Sequence, residues 1–305
     1  MTTILLSGAG GFSGAYMKRF LEAQGATVHT FGAKALPKER SERHTVVDIG
    51  NPDVMAALVR TVKPDAILHL AGVVRSPDPM TFYRVNAEFA VALLAGIEKT
   101  GEQIPMLMVG TAAEVGQPSA EQLPIREDMP AQPLDHYGIS KLAQTHAALA
   151  AHKRTGLPVV VARPSNIIGA GMPEHFVVQS FASQIASMMR GAAAPVLKTG
   201  NLASSRDFIA IETVCQLYWD LLRSPEAYGE VVNVCSGVAT PITKIVELLT
   251  KLSGIDIRVE TDPALYRAVD VPVHYGSVEK LQHLLGKLPN NIPLETTLEQ
   301  VLRAS

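Results

Sequence analysis

The chain has 305 residues, 47% of them apolar, with 27 Lys and Arg against 29 Asp and Glu. That length supports one large α/β unit or two small domains sharing a cleft. The formal net charge is −2 and the cations are dispersed, which argues against nucleic acid or an anionic membrane as the main partner. In chain order, Ile4–Ser7 reads as a buried strand and Phe12–Gln24 as a helix stopped at Gly25. Thr27–Phe31 and Thr45–Val47 read as strands, the second ending at Asp48. Pro52–Val62 is a predicted helix and Ala66–Leu70 a fourth strand. A proline-free stretch from Phe82 to Lys99 predicts one long helix. Met106–Val109 is a strand, Tyr137–Thr155 a helix stopped by Gly156, and Val159–Ala162 the next strand. This βαβ rhythm with continuous Val/Ile/Leu strands predicts a doubly wound parallel sheet of the Rossmann type, covered on both faces.

After Arg163-Pro164 the regularity falls. Gly169 to Pro173 reads as a loop, Val177–Arg190 as a helix, Val231–Val234 as a buried strand and Ile242–Leu252 as a helix. Ile255–Val259 reads as a short strand, and Leu294–Arg303 as a closing helix. The division expected is a dinucleotide-binding unit over 1–165, with a returning segment near 205–240. A smaller, irregular α/β part over 166–305 would take the substrate. Cys215 and Cys235 lack CxxC or Cys/His ligand spacing, so neither a disulfide framework nor a metal site is expected. No apolar run approaches the roughly 18–20 residues that span a bilayer. No basic, cleavable leader precedes Ile4. A soluble, cytoplasmic protein is the expectation.

Two motifs carry the chemistry. Gly8, Gly11 and Gly14 have GxxGxxG spacing and stand between a strand and a helix, with Phe12 and Ser13 between them. Glycines there let the backbone approach a pyrophosphate, and the helix that follows offers free N–H groups to it. The second strand ends Thr30-Phe31-Gly32-Ala33-Lys34, without the carboxylate that would bind the ribose 2′-OH of NAD. That favours NADP(H), with Lys34 or a residue of Lys38-Glu39-Arg40 at the 2′-phosphate; NAD(H) stays open as the alternative. Asp48 is a candidate acceptor for the adenine amino group. The second motif, Tyr137 and Lys141, puts a phenol and an ammonium one turn apart on a helix. A phenol at pKa about 10 needs help to act as a base at neutral pH, and a neighbouring ammonium stabilises its phenolate. Thr111, just past the strand Met106–Val109, is placed to hold a substrate oxygen.

These residues resemble the extended short-chain dehydrogenase/reductase family, in its nucleotide-sugar branch. The likeness also runs through His69-Leu70-Ala71-Gly72, Val85-Asn86, Arg163-Pro164-Ser165-Asn166-Ile167-Ile168-Gly169 and Arg206-Asp207-Phe208. Within that branch the chain is most similar to GDP-4-keto-6-deoxy-D-mannose reductases. The resemblance implies hydride transfer to the 4-keto carbon of a nucleotide-linked 6-deoxysugar. Tyr137 would protonate the new alkoxide, Lys141 would tune it and bind nicotinamide ribose, and Thr111 would hold the keto oxygen. It implies cofactor contacts at Ile49, Leu70, Ala71, Gly72 and Arg163. Substrate contacts would fall at Ala112, Asn166, Phe176, Val177, Arg206 and Arg267. It also implies a homodimer built on the helices Phe82–Lys99 and Tyr137–Thr155. Ala112-Ala113 stand where related dehydratases carry an acid, and Val115 stands where most relatives have Tyr. An NAD-dependent 4-epimerase, a 4,6-dehydratase and a non-catalytic dinucleotide sensor are the alternatives.

Overall fold

The computed structural model describes residues 2–37, 42–266, 271–288 and 291–305. The first half alternates as expected: β1 (Thr3–Ser7), α1 (Phe12–Ala23), β2 (Thr27–Gly32), β3 (His44–Val46), α2 (Pro52–Val62) and β4 (Ala66–His69). Next come α3 (Pro79–Phe82), a π-helical turn over Tyr83–Glu88, α4 (Phe89–Glu98), β5 (Met106–Val109), α5 (His136–Thr155) and β6 (Val159–Pro164). The second half holds β7 (Asn166–Ile168), α6 (Val177–Met189), β8 (Val196–Thr199), β9 (Ser205–Arg206), β10 (Phe208–Ala210), α7 (Ile211–Leu222) and β11 (Val231–Val234). It ends with β12 (Thr240–Pro241), α8 (Ile242–Ser253), β13 (Arg258–Thr261), β14 (Val273–His274), α9 (Glu279–Leu285) and α10 (Leu294–Arg303).

Seven strands form the main sheet in the order β11-β6-β5-β4-β1-β2-β3, every neighbour parallel. Parallel strands need crossovers, and their helices bury both faces. One face packs Ile4, Leu6, Leu68, Leu107 and Val160 against Met17 and Leu21 of α1 and Val214, Tyr218 and Leu221 of α7. The other packs Leu5, Ile67, Met106, Met108 and Val161 against Met55 of α2, Leu93 and Ile97 of α4 and Ala148 of α5. A third core joins α6, α8 and α10 through Phe181, Ile185, Ile245, Leu249, Leu298 and Val301. Phe12 touches both this core and the α1 side of the sheet.

Two expectations are corrected, and one helix is added. The long helix from Phe82 is wound as a π-turn over Tyr83–Glu88, because Asn86 points inward and bonds outside the helix. The expected strand at Ile255–Val259 begins only at Arg258, where pairing with β8 starts. The helix Ile211–Leu222 goes unpredicted in the sequence. It opens Ile-Glu-Thr-Val without a capping side chain, so its start reads as strand.

Candidate functional site

The strands β1, β4, β5 and β6 end at one edge of the sheet, where open parallel sheets bind ligands. After β1 the chain turns at Gly8, which has φ +78°. A Cβ there would stand 2.7 Å from the Ala71 nitrogen. A Cβ on Gly14 would stand 2.1 Å from the Gly8 oxygen. The turn is closed by Gly11 N–H donating to the Gly8 carbonyl at 3.0 Å. Gly11 caps α1 without a side chain, so the first-turn N–H groups around Phe12 and Ser13 have no side-chain acceptor from the cap. Only a ligand that accepts from backbone amides suits such a cradle, and a pyrophosphate does. Ser7 Oγ accepts from Ala71 N–H at 3.1 Å and bonds His69 Nδ1 at 2.9 Å, tying Leu70-Ala71-Gly72 to the turn. Burial, aided by the Lys141 charge, pushes His69 down to about 3, so its ring is neutral.

Beyond β5, Thr111 caps the turn Ala112–Glu114. Its Oγ1 accepts from Ala113 N–H at 3.3 Å, and Glu114 Oε1 accepts from Thr111 N–H at 2.8 Å. The Glu114 carboxylate is wholly buried. It also accepts from Thr145 Oγ1 at 3.1 Å and pairs with Arg163 Nη2 at 3.4 Å. Its oxygens are thus committed inward, and Ala112 and Ala113 offer no acid or base in its place. The Arg163 side chain is 4% exposed, so its guanidinium belongs to the wall beneath Thr111.

Tyr137 opens α5, whose first turn is held by Asp135 accepting from Gly138 N–H at 2.8 Å. The Thr111 side chain stands beside the phenol and favours its ionised form. Burial pushes the phenol up to about 12, against that lowering effect. Lys141 is buried one turn further on, and burial brings its ammonium down to about 8, with Glu114 opposing. Its Nζ donates to Gln144 Oε1 at 2.7 Å, while Gln144 Nε2 donates to the Val109 carbonyl at 2.9 Å. In the protein alone, burial holds the phenol in its protonated form.

Asn86 completes this arrangement. It accepts from Val73 N–H at 2.8 Å and donates to the Val73 carbonyl at 3.0 Å and Ser140 Oγ at 2.9 Å. The loop after β4 is thereby fixed to α5, with Gly72 beside Lys141: a Cβ on Gly72 would be 3.7 Å from Nζ. Phe82 lies 6.4 Å from the Tyr137 ring and lines an open recess of about 440 Å³ with Val74, Arg75, Ser76 and Pro77.

Lys34 is exposed, and its carbonyl accepts from His44 Nε2 at 2.9 Å. Asp48 Oδ1 accepts from Gly50 N–H at 3.1 Å, and Ile49 packs on the α2 side of the sheet. Asn166 is exposed and donates to the Asp207 carbonyl at 2.9 Å. Phe176 is exposed ahead of α6, its ring 4.3 Å from His175, and Val177 packs on the third core. Arg206 is partly buried and donates to the Ser205 carbonyl at 2.9 Å. Arg267 and Lys38-Glu39-Arg40 lie outside the described residues. Sequence reasoning missed Gln144 and the inward role of Glu114. The spacing Lys-x-x-Gln on one helix face was a usable signal for Gln144.

Residues 4–235 match the model of the NAD dependent epimerase/dehydratase family. The chain belongs to this family. The chain is similar to a GDP-6-deoxy-D-mannose reductase of Pseudomonas aeruginosa, 33% identical over 99% of this chain and 95% of that protein. A GDP-6-deoxy-D-talose 4-dehydrogenase of Aggregatibacter actinomycetemcomitans is 28% identical over 98% of this chain and 97% of its own length. Among solved structures, RMD from Pseudomonas aeruginosa complexed with NADPH superposes with a TM-score of 0.87 at 29% identity, covering 100% of this chain and 98% of that one. The Rossmann architecture and the extended short-chain dehydrogenase/reductase type expected from the motifs are those of the family.

Proposed function

We propose that the chain reduces the 4-keto group of a nucleotide-linked 6-deoxyhexose of the GDP-4-keto-6-deoxymannose type, with NADP(H) as the favoured cofactor and NAD(H) as the alternative. What supports this reading is Tyr137 and Thr111 side by side, next to a turn whose one carboxylate, Glu114, is committed inward. A proton donor without a neighbouring base suits reduction better than dehydration. The full-length likeness to a GDP-6-deoxy-D-mannose reductase supports the substrate class.

In this reading the Gly8–Gly14 turn holds the pyrophosphate, Lys34 the 2′-phosphate, Asp48 and Ile49 the adenine end, and Leu70–Gly72 with Arg163 the inner wall. The nicotinamide supplies a hydride when bound. Thr111 Oγ1 and Tyr137 Oη fix the keto oxygen, and Tyr137 gives its proton as that oxygen becomes an alkoxide. Lys141 binds the ribose and carries positive charge toward the emptied phenol. Asn166, Phe176, Val177, Arg206 and Arg267 line the nucleotide end, where guanidinium forks suit phosphate oxygens. A homodimer through the exposed faces of α4 and α5, around Val91 and Ile139, belongs to the same proposal. So does a cytoplasmic setting; among the described residues no helix is long and apolar enough to cross a membrane.

The test is incubation with NADPH and a panel of GDP-, dTDP-, UDP- and CDP-linked 4-ketosugars, following NADPH absorbance and product. Oxidation with a GDP-linked ketosugar supports the reading. Epimer formation without added cofactor would replace it with a 4-epimerase, an activity borne by a UDP-glucose 4-epimerase of Azospirillum brasilense at 25% identity. A dimer mass in solution checks the assembly.

A further inference from the structure

His274 lies on β14, in register with Arg206 of β9, so both side chains stand on the same face of that small sheet. Its ring also reaches the backbone of Ala112, next to Thr111. One imidazole thus spans the two ends of the site described above: the turn that would hold the keto oxygen and the arginine that would hold the diphosphate. A hexose fixed at both ends runs past this ring. His274 further lines a small cavity behind the turn with Ala112, Val115 and Arg163.

Resting on the proposed substrate class, we propose that His274 is a specificity-determining residue that accepts a hydrogen bond from a ring hydroxyl of the hexose. The Ala112 contact favours a ring N–H, so one nitrogen donates to that backbone and the other presents a lone pair. Burial, with the Arg206 cation beside it, brings the imidazole down to about 4, so the lone pair persists across the neutral range. A buried acceptor facing the sugar discriminates against an analogue that lacks the hydroxyl, because it is then left unpaired.

The test measures binding of GDP and GDP-mannose to the full chain with NADP+, by calorimetry, for wild type, His274→Phe and His274→Gln. The expected result is a loss of roughly tenfold in GDP-mannose affinity for His274→Phe, the size of one net hydrogen bond. GDP affinity should be unchanged, and Gln, which keeps an acceptor, should restore most of the loss. Removing the hydroxyl at C2 or C3 of the hexose should weaken wild type at one of the two positions and leave His274→Phe indifferent there. An unchanged preference for GDP-mannose over GDP in His274→Phe overturns the assignment, as does an equal loss for both ligands, which marks a structural role. A wild-type chain that binds GDP but not GDP-mannose overturns the substrate reading itself.

Discussion

Replacing Glu114 by Gln probes what holds Thr111 in place. The carboxylate is fully buried and receives Thr111 N–H at 2.8 Å, Thr145 Oγ1 at 3.1 Å and Arg163 Nη2 at 3.4 Å. The amide oxygen of Gln can keep the Thr111 bond. Its NH2 group then faces the Arg163 guanidinium, donor against donor, and the cation is left buried without a counter-charge. Breaking a buried pair in this way costs about 3–5 kcal/mol; with a single, fairly long contact the lower end, about 3 kcal/mol, is expected. For a chain of 305 residues this is a fall of about 5 °C in Tm, using the usual unfolding entropy per residue. Turnover should fall at least about tenfold, since Thr111 is positioned by the same carboxylate. Adding Arg163→Met to Glu114→Gln removes the stranded charge and should recover about 1–2 kcal/mol, a coupling that a double-mutant cycle reads directly. Thermal melts of the two single variants and the double variant, with NADPH-dependent turnover, are the assay. If both single variants melt within about 1 °C of wild type, the pair is not an isolated buried one, and the account of the Thr111 turn is wrong.

Tyr137→Phe removes the phenol at nearly constant packing; turnover should drop by about 10²–10⁴-fold with NADPH affinity retained, as single-turnover and binding measurements would read. Gly14→Ala puts a methyl 2.1 Å from the Gly8 oxygen, so NADPH affinity should fall at least about tenfold in a fluorescence titration. Lys141→Met removes a buried cation whose folded pKa, about 8, lies below its unfolded value. The unfolded chain binds more protons between pH 8 and 10.5, so wild-type stability from this group rises across that window, and the penalty is full below pH 8. The variant should be inactive yet up to about 2–3 kcal/mol more stable at pH 7, with a flatter stability profile above pH 8 in denaturant melts. His69 gives the acid-side counterpart. Its folded value of about 3 lies below 6.5, so its contribution is lost as pH falls below 6.5, and His69→Gln should shallow that slope.

The parallel sheet was legible because its strands are buried on both faces and read as unbroken apolar runs, as in Ile4-Leu5-Leu6 and Val159-Val160-Val161. The Gly8–Gly14 turn was legible because crowding there admits no Cβ. The short strands Asn166–Ile168, Ser205–Arg206 and Phe208–Ala210 were not, since two or three residues leave no period to detect. The π-turn at Tyr83–Glu88 was invisible for another reason. Its cause is a long-range set of bonds from Asn86 to Val73 and Ser140, which no local pattern contains. The same holds at the site. Tyr137, Lys141 and Thr111 announce themselves by motif, whereas the inward turn of Glu114 depends on Arg163, 49 residues away.

The protonation of the paired groups bears on the part the tyrosine plays in proton transfer. Burial holds the Tyr137 phenol above its ordinary value, so it is protonated at pH 7. Reduction of a ketone generates an alkoxide, a base about as strong as hydroxide, and transfer of the Tyr137 proton to it is downhill. The reverse process needs a phenolate at the outset, and the isolated site supplies almost none. Lys141 is one positive charge at the site, its Nζ donating to Gln144 Oε1. A second positive charge entering the cleft beside the ring would shift the phenol toward ionisation. The resting protein is accordingly poised as a proton donor, and the pH profile of the reductive rate should stay flat on its alkaline side until Lys141 discharges near pH 8.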